Sequence, residues 1–188
     1  MARATYYMVE MNYPHTTSAE REAFDEFYQR HINMLLTIPG FITAQRFVCS
    51  ANVKAPFLAL YRLLGPDVMT SDGYTKKAGR MSVEQEFRVK MTNWDRNLVL
   101  GPRGTSAPDL SVDMGNRFTL IDRLIDDAPP LPSNFTPLEI VGLDATIVER
   151  GACVGEIGSL TVREGWEVRE WCPIHPVRSS EEDNADVR

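Results

Sequence analysis

An α+β fold, with elements in the order strand, helix, strand, strand, helix, strand, is predicted by three features of the amino-terminal half of this 188-residue chain. Residues 5–12 (TYYMVEMN) are rich in strand formers and end at the polar turn Asn12-Tyr13-Pro14. Residues 17–36 carry a complete amphipathic helix, from a capping signal to a Pro-Gly stop. Residues 41–48 (FITAQRFV) and 57–64 (FLALYRLL) read as two more strands, joined by SANVKAP, whose small, polar and proline residues suit a hairpin loop.

The helix is the most informative element. Thr17 and Glu20 have capping-box spacing, so the hydroxyl accepts from an orphan amide of the first turn while the carboxylate reaches back to the cap amide. Phe24, Phe27, Tyr28, His31 and Leu35 fall on one helical face, with Arg21, Glu22, Asp25, Glu26, Gln29 and Arg30 mostly pointing elsewhere. Pro39-Gly40 then stops the helix. Further on, Gly65-Pro66-Asp67 opens a helical stretch interrupted near Gly73 and Gly79, and residues 81–97 resume a helical composition with Val83, Phe87 and Met91 four apart. The last strand falls at 97–100 or at 117–125. That order is the ferredoxin-like βαββαβ plan, an antiparallel sheet with both helices on one face. It predicts a homodimer, because the other sheet face needs a partner.

Three regions follow: residues 1–104 as the βαββαβ unit, 105–177 as a strand-rich extension or degenerate second repeat, and 178–188 as a disordered tail. In the middle region the apolar pieces RFTLIDRLI, PLEIVGLDATIV, RGACVGEI and EVREWCPI read as short strands between turn-rich connectors. The tail RSSEEDNADVR offers almost nothing apolar to bury.

Composition excludes several classes of function. Lysine plus arginine total 20 against 26 for aspartate plus glutamate, a formal charge of −6 with no basic stripe to grip phosphates, so nucleic acid is not an expected partner. No run of eighteen apolar residues and no cleavable leader is visible, which predicts no membrane span and a cytoplasmic protein. Cys49, Cys153 and Cys172 are odd in number and lack metal-ligand spacing, which suits a reducing compartment and predicts no metal site.

His31 is the first candidate for chemistry. An imidazole on an apolar stripe is more often a hydrogen-bonded core residue than a catalyst, but near an apolar pocket it is also the side chain best suited to exchange a proton at neutral pH. Strand alternation puts Tyr6, Met8 and Glu10 on one face and Tyr7, Val9 and Met11 on the other, and sets Arg46 beside Ala44 and Val48. Glu10 and Arg46, charged among apolar neighbours, are expected on an exposed face or paired with each other. Trp94 and Asp95 fall near the end of the second helix, and Tyr61 alternates with Ala59 and Leu63. Asp144, Glu149 and Arg150 read as a polar site or as surface charges around a turn, and His15 and His175 as exposed.

The segment FDEFYQRHINMLLTIPGFITAQRF, followed by FLALYRLLGPDV, resembles the EthD-like family of the dimeric α+β barrel superfamily, in which an acidic helix reading roughly F-x-x-W/Y-x-x-x-H leads into P-G-F. Phe24, Tyr28, His31, Pro39, Gly40, Phe41 and Arg46 carry the resemblance, over about residues 4–100. It implies a barrel of two packed sheets, with an apolar small-molecule cavity between each sheet and its helices or loops. It implies no single reaction. On that basis the expected function is a cofactor-independent enzyme acting by His31 proton transfer on a small, partly apolar, even aromatic metabolite, in a lyase, isomerase or dehydratase step. Tyr28 and Glu10 join His31 as catalytic candidates, and Arg46, Tyr7, Tyr61 and Trp94 as substrate-binding ones. The alternatives are a haem-binding or cofactor-free oxygenase of the same fold, and a non-catalytic small-molecule binder.

Overall fold

The computed structural model describes residues 3–78, 82–104, 109–144, 146–158 and 160–180. The expected elements at the amino terminus are present: β1 (Thr5–Asn12), α1 (Ser18–Leu36), β2 (Phe41–Cys49) and β3 (Phe57–Leu63). The Thr17 hydroxyl accepts from the Glu20 amide at 3.2 Å, while the Glu20 carboxylate accepts from the amide of Thr16, one residue before the cap. Gly40 takes a positive φ of +97° in the turn after α1, and a Cβ there would meet Val68 at 2.5 Å, so glycine is required on both counts.

Beyond β3 the reading changes. A 3-10 turn (Pro66–Thr70) leads to two short helices, α2 (Asp72–Lys77) and α3 (Gln85–Arg88), followed by β4 (Thr92–Leu100). The long second helix expected over 81–97 is therefore confined to one turn. Val83, Phe87 and Met91 are buried as that spacing required, but residues 92–100 alternate with period two and pair with β1. The later apolar pieces form β5 (Phe118–Arg123), β6 (Thr136–Leu143), β7 (Glu149–Val154) and β8 (Trp166–Pro173). Arg178–Ser179, expected in the tail, form β9 against β2, and residues 181–188 of that tail lie outside the described residues.

The ferredoxin-like α+β architecture is not what forms. All pairings are antiparallel, and the order β3-β1-β4-β6-β7-β5-β8-β2 returns to β3, closing an eight-stranded barrel within one chain. β9 continues the place of β8 along β2. The physical reason is visible inside. Tyr6, Met8, Phe47, Leu58, Leu60 and Val99 meet Phe118, Leu120, Leu138 and Trp171, so the apolar sheet face is buried by the chain's own later strands. The open face from which a second chain was expected does not exist in this fold.

A second apolar cluster lies on the outer surface, beneath α1. Tyr7, Val9, Ala59 and Tyr61 face outward there and meet Phe24, Phe27, Tyr28 and Ile32 of the helix. Phe24 stacks on Tyr13 at 4.1 Å and Phe27 on Phe87 at 4.4 Å, which ties α3 to α1.

Candidate functional site

Between α1 and the outer face of β1 and β4 lies a small cavity lined by Tyr7, Tyr28, His31, Tyr74, Trp94 and Arg96 among others. Its volume is about 20 Å³, room for roughly one water molecule. Helical spacing delivers Tyr28 and His31 to it, and strand alternation delivers Tyr7, Trp94 and Arg96. Tyr74 comes from α2.

The imidazole of His31 sits 5.8 Å from the ring of Phe27 and 5.7 Å from that of Tyr28. Burial lowers its pKa to about 4, opposed only in part by the carboxylate of Glu84, so the ring is neutral at physiological pH. The phenols of Tyr7 and Tyr28 stay protonated for the same reason. Burial and then the neighbouring Tyr74 raise Tyr7, and burial raises Tyr28 against the pull of Arg46. Tyr74 and Tyr7 share a long hydroxyl contact of 3.5 Å. Arg96 supplies the positive charge. Its guanidinium donates to both carboxylate oxygens of Asp144, at 3.1 and 3.3 Å, and that bond raises its pKa. A neutral base, several phenolic donors and a guanidinium paired with Asp144 around one small space form a set able to remove a proton and hold the anion that results.

The structure thus brings His31, Tyr28, Tyr7 and Trp94 together. Tyr61 lies behind them, stacked on Tyr7 at 5.5 Å. Arg46 is also behind the wall. Its side chain is almost wholly buried, its Nη1 lies 2.8 Å from Asp25, and its guanidinium covers the rings of Tyr28 at 4.5 Å and Phe24 at 5.1 Å. Glu10 points to the other side of the sheet, into the barrel. There Arg150 donates to Glu10 and, through two nitrogens, to Asp122, each at 2.7 Å, and Arg169 donates to both carboxylates as well. The expected exposure or mutual pairing of Glu10 and Arg46 is corrected: both are buried, on opposite faces, with different partners. Of the two readings of Arg150, a polar site or a surface charge, the structure shows a buried polar site; His175, expected exposed, is buried, and His15 is exposed as expected.

Sequence reasoning passed over Tyr74 and Arg96. Trp94, Arg96 and Leu98 alternate with Asp95, Asn97 and Val99, and that period of two was the available signal for Arg96. Among the described residues, no group of three or more His, Cys, Asp or Glu side chains is placed to hold a metal ion. No helix among them is long and apolar enough to cross a membrane.

No family model and no curated protein sequence matches this chain. Among solved structures, an anthrone oxidase-like protein is similar with a TM-score of 0.53 at 9% identity, over 95% of this chain and 93% of that one. A candidate monooxygenase from Lactobacillus acidophilus NCFM gives a TM-score of 0.48 at 8% identity, over 95% and 97% of the two chains. The first likeness shows a shared fold. The lyase, isomerase or dehydratase step expected from the sequence finds no support in the comparisons, where the solved structure that shares this fold is an anthrone oxidase-like protein.

Proposed function

We propose that the protein is an oxygenase-type enzyme without a resident cofactor, which oxidises an acidic C–H position of a small aromatic substrate at the His31 cavity. The observation that carries this reading is the neutral imidazole of His31 beside a small cavity that Arg96, Tyr7 and Tyr74 also line. The resemblance of the FYQRH and PGF segments to the EthD-like family and the barrel shared with an anthrone oxidase-like protein support it.

In this scheme His31 takes a proton from a methylene flanked by aromatic rings or a carbonyl. Arg96 and the phenols stabilise the enolate oxygen. The carbanion passes one electron to dioxygen, the radical pair joins as a C–O bond, and the proton on His31 returns to the peroxide oxygen. Loss of water from the hydroperoxide, with departure of the second methylene proton, leaves a ketone. One dioxygen is consumed and one water released per carbonyl formed. An aromatic substrate needs more room than a cavity of about 20 Å³, and α2, with Tyr74, is the element that must move to admit it.

Anthrone itself is the test substrate, with dioxygen uptake and quinone formation followed together. The expected result is equal uptake and product, abolished without oxygen and lowered at least ~10²-fold in His31→Asn. Turnover by His31→Asn at the native rate, or no rate above the uncatalysed oxidation, overturns the reading.

A further inference from the structure

Two irregularities of the barrel backbone converge on Arg96. At the start of β4, Glu10 pairs with Asp95 and Asn12 with Thr92, so Asn93 and Trp94 stand against Met11 alone. In β6, Leu98 pairs with Gly142 and Val99 with Ile140, which leaves Val141 as an extra residue. Asn93, inside the first bulge, has a φ of +50°, and Leu143, two residues past Val141, has a φ of +72°. Among the described residues these are the only non-glycine positions with a positive φ. Asparagine tolerates that conformation, but leucine seldom adopts it, and the exposed side chain of Leu143 gains no packing in return. Bulges of this kind re-aim the side chains beside them. Here they deliver Trp94 to the wall of the His31 cavity and Asp144 to Arg96.

Asp144 and Arg96 hold each other through backbone and side chain at once. The Asp144 amide donates to the Arg96 carbonyl at 2.9 Å, and the Arg96 amide donates back to Oδ2 of Asp144 at 3.1 Å. Nε and Nη2 of the guanidinium then donate to Oδ2 and Oδ1 of the same carboxylate, at 3.3 and 3.1 Å. A long, flexible side chain is thereby fixed by a planar fork on a carboxylate that is itself tied to the arginine's own backbone. Nη1 donates to no described residue, and the Tyr7 and Tyr74 phenols lie within electrostatic reach of the guanidinium. Water screens the pair only in part, since the two side chains are 20% and 25% exposed.

We propose that Asp144 is a positioning residue of the His31 cavity, which acts through Arg96 by holding the guanidinium where it stabilises the oxyanion formed on proton removal. The inference rests on the reaction proposed for that cavity and gives it a residue that does not line it.

The test uses 4-nitrophenol, a single-ring acid whose anion absorbs in the visible, so that an oxyanion site is read without any oxidation. Its pKa when bound to the intact protein is measured for the wild type, Arg96→Gln, Asp144→Asn and the double variant. The expected result is a bound pKa below that of the free phenol, a shift abolished in Arg96→Gln and at least halved in Asp144→Asn. In the Arg96→Gln background Asp144→Asn changes nothing further, because a residue acting through Arg96 has nothing left to act on. Asp144→Glu, which keeps the charge but moves it by one methylene, is the second variant and also reduces the shift. In anthrone oxidation Asp144→Asn lowers kcat at least tenfold with KM within threefold, the pattern of an interaction made in the transition state. No bound probe on the folded wild type, a bound probe with an unshifted pKa, or a shift retained in the folded Asp144 variants overturns the inference, as does an equal effect of Asp144→Asn in both backgrounds. If the probe gives the expected pattern and anthrone is not oxidised, the positioning role stands and the reaction assigned to the cavity falls.

Discussion

His31 illustrates how one half-buried side chain links stability to function. With its pKa lowered to about 4 by burial, the folded protein holds it neutral, whereas the unfolded chain binds a proton near the ordinary histidine value of about 6.5. Between these values the unfolded state binds more protons, so stability rises with pH across the window and is lost as pH falls through it. The same depression keeps the base unprotonated throughout the neutral range. The expected outcome is a denaturation midpoint that falls between about pH 6.5 and 4, by an amount reduced in His31→Asn. Urea titrations of both proteins at a series of pH values measure it, and identical profiles would show that His31 does not carry the effect. Tyr28 depends on a neighbour in another way. Arg46 covers its ring from behind and is anchored by Asp25 of the same helix, so the phenol is held in place by a cation that never reaches the cavity.

At the scale of elements, α1 positions the catalytic candidates, and its start is fixed by one side chain. Thr17→Ala removes the acceptor for the Glu20 amide and should cost about 1 kcal/mol, read as a lower urea midpoint with an unchanged slope. This helix was legible in the sequence because its cap, its apolar face and its Pro-Gly stop all give the same answer within one stretch of chain. β1, β2 and β3 were legible for the same reason. β4 was not, since the spacing of Val83, Phe87 and Met91 carried a helical reading past Met91 into residues whose strand pairing is decided by β1 and β6, far away in sequence. That misreading placed Trp94 on a helix and hid Arg96 altogether. The site was therefore half visible: Tyr7, Tyr28, His31 and Trp94 could be named, and Tyr74 of α2 and Arg96 of β4 could not. Glu10 failed for a deeper reason. Its partners, Arg150 and Arg169, stand 140 and 159 positions later, and no local pattern announces a pairing at that distance.

For the whole molecule, closure is the governing fact, and the barrel interior is where the two halves of the chain are joined. Apolar side chains from β1 to β4 fill most of it against those from β5 to β8, but one end is closed by Glu10, Asp122, Arg150 and Arg169 from four different strands. A buried set of this kind adds little over a hydrophobic filling of equal volume, because desolvation offsets most of the attraction. Breaking it is another matter. Removing Arg150 leaves Glu10 and Asp122 sharing the single cation of Arg169, with one uncompensated negative charge in a space that water barely enters. Arg150→Met, which keeps much of the side-chain bulk, should therefore cost about 3–5 kcal/mol, measured by equilibrium unfolding. Arg117→Ala, which breaks the solvent-exposed pair with Glu170 on the outer surface, should leave the unfolding midpoint where it was. If the two substitutions prove equally mild, the charges at the barrel mouth are hydrated rather than enclosed, and what holds β1 to β7 and β8 is the apolar interior alone.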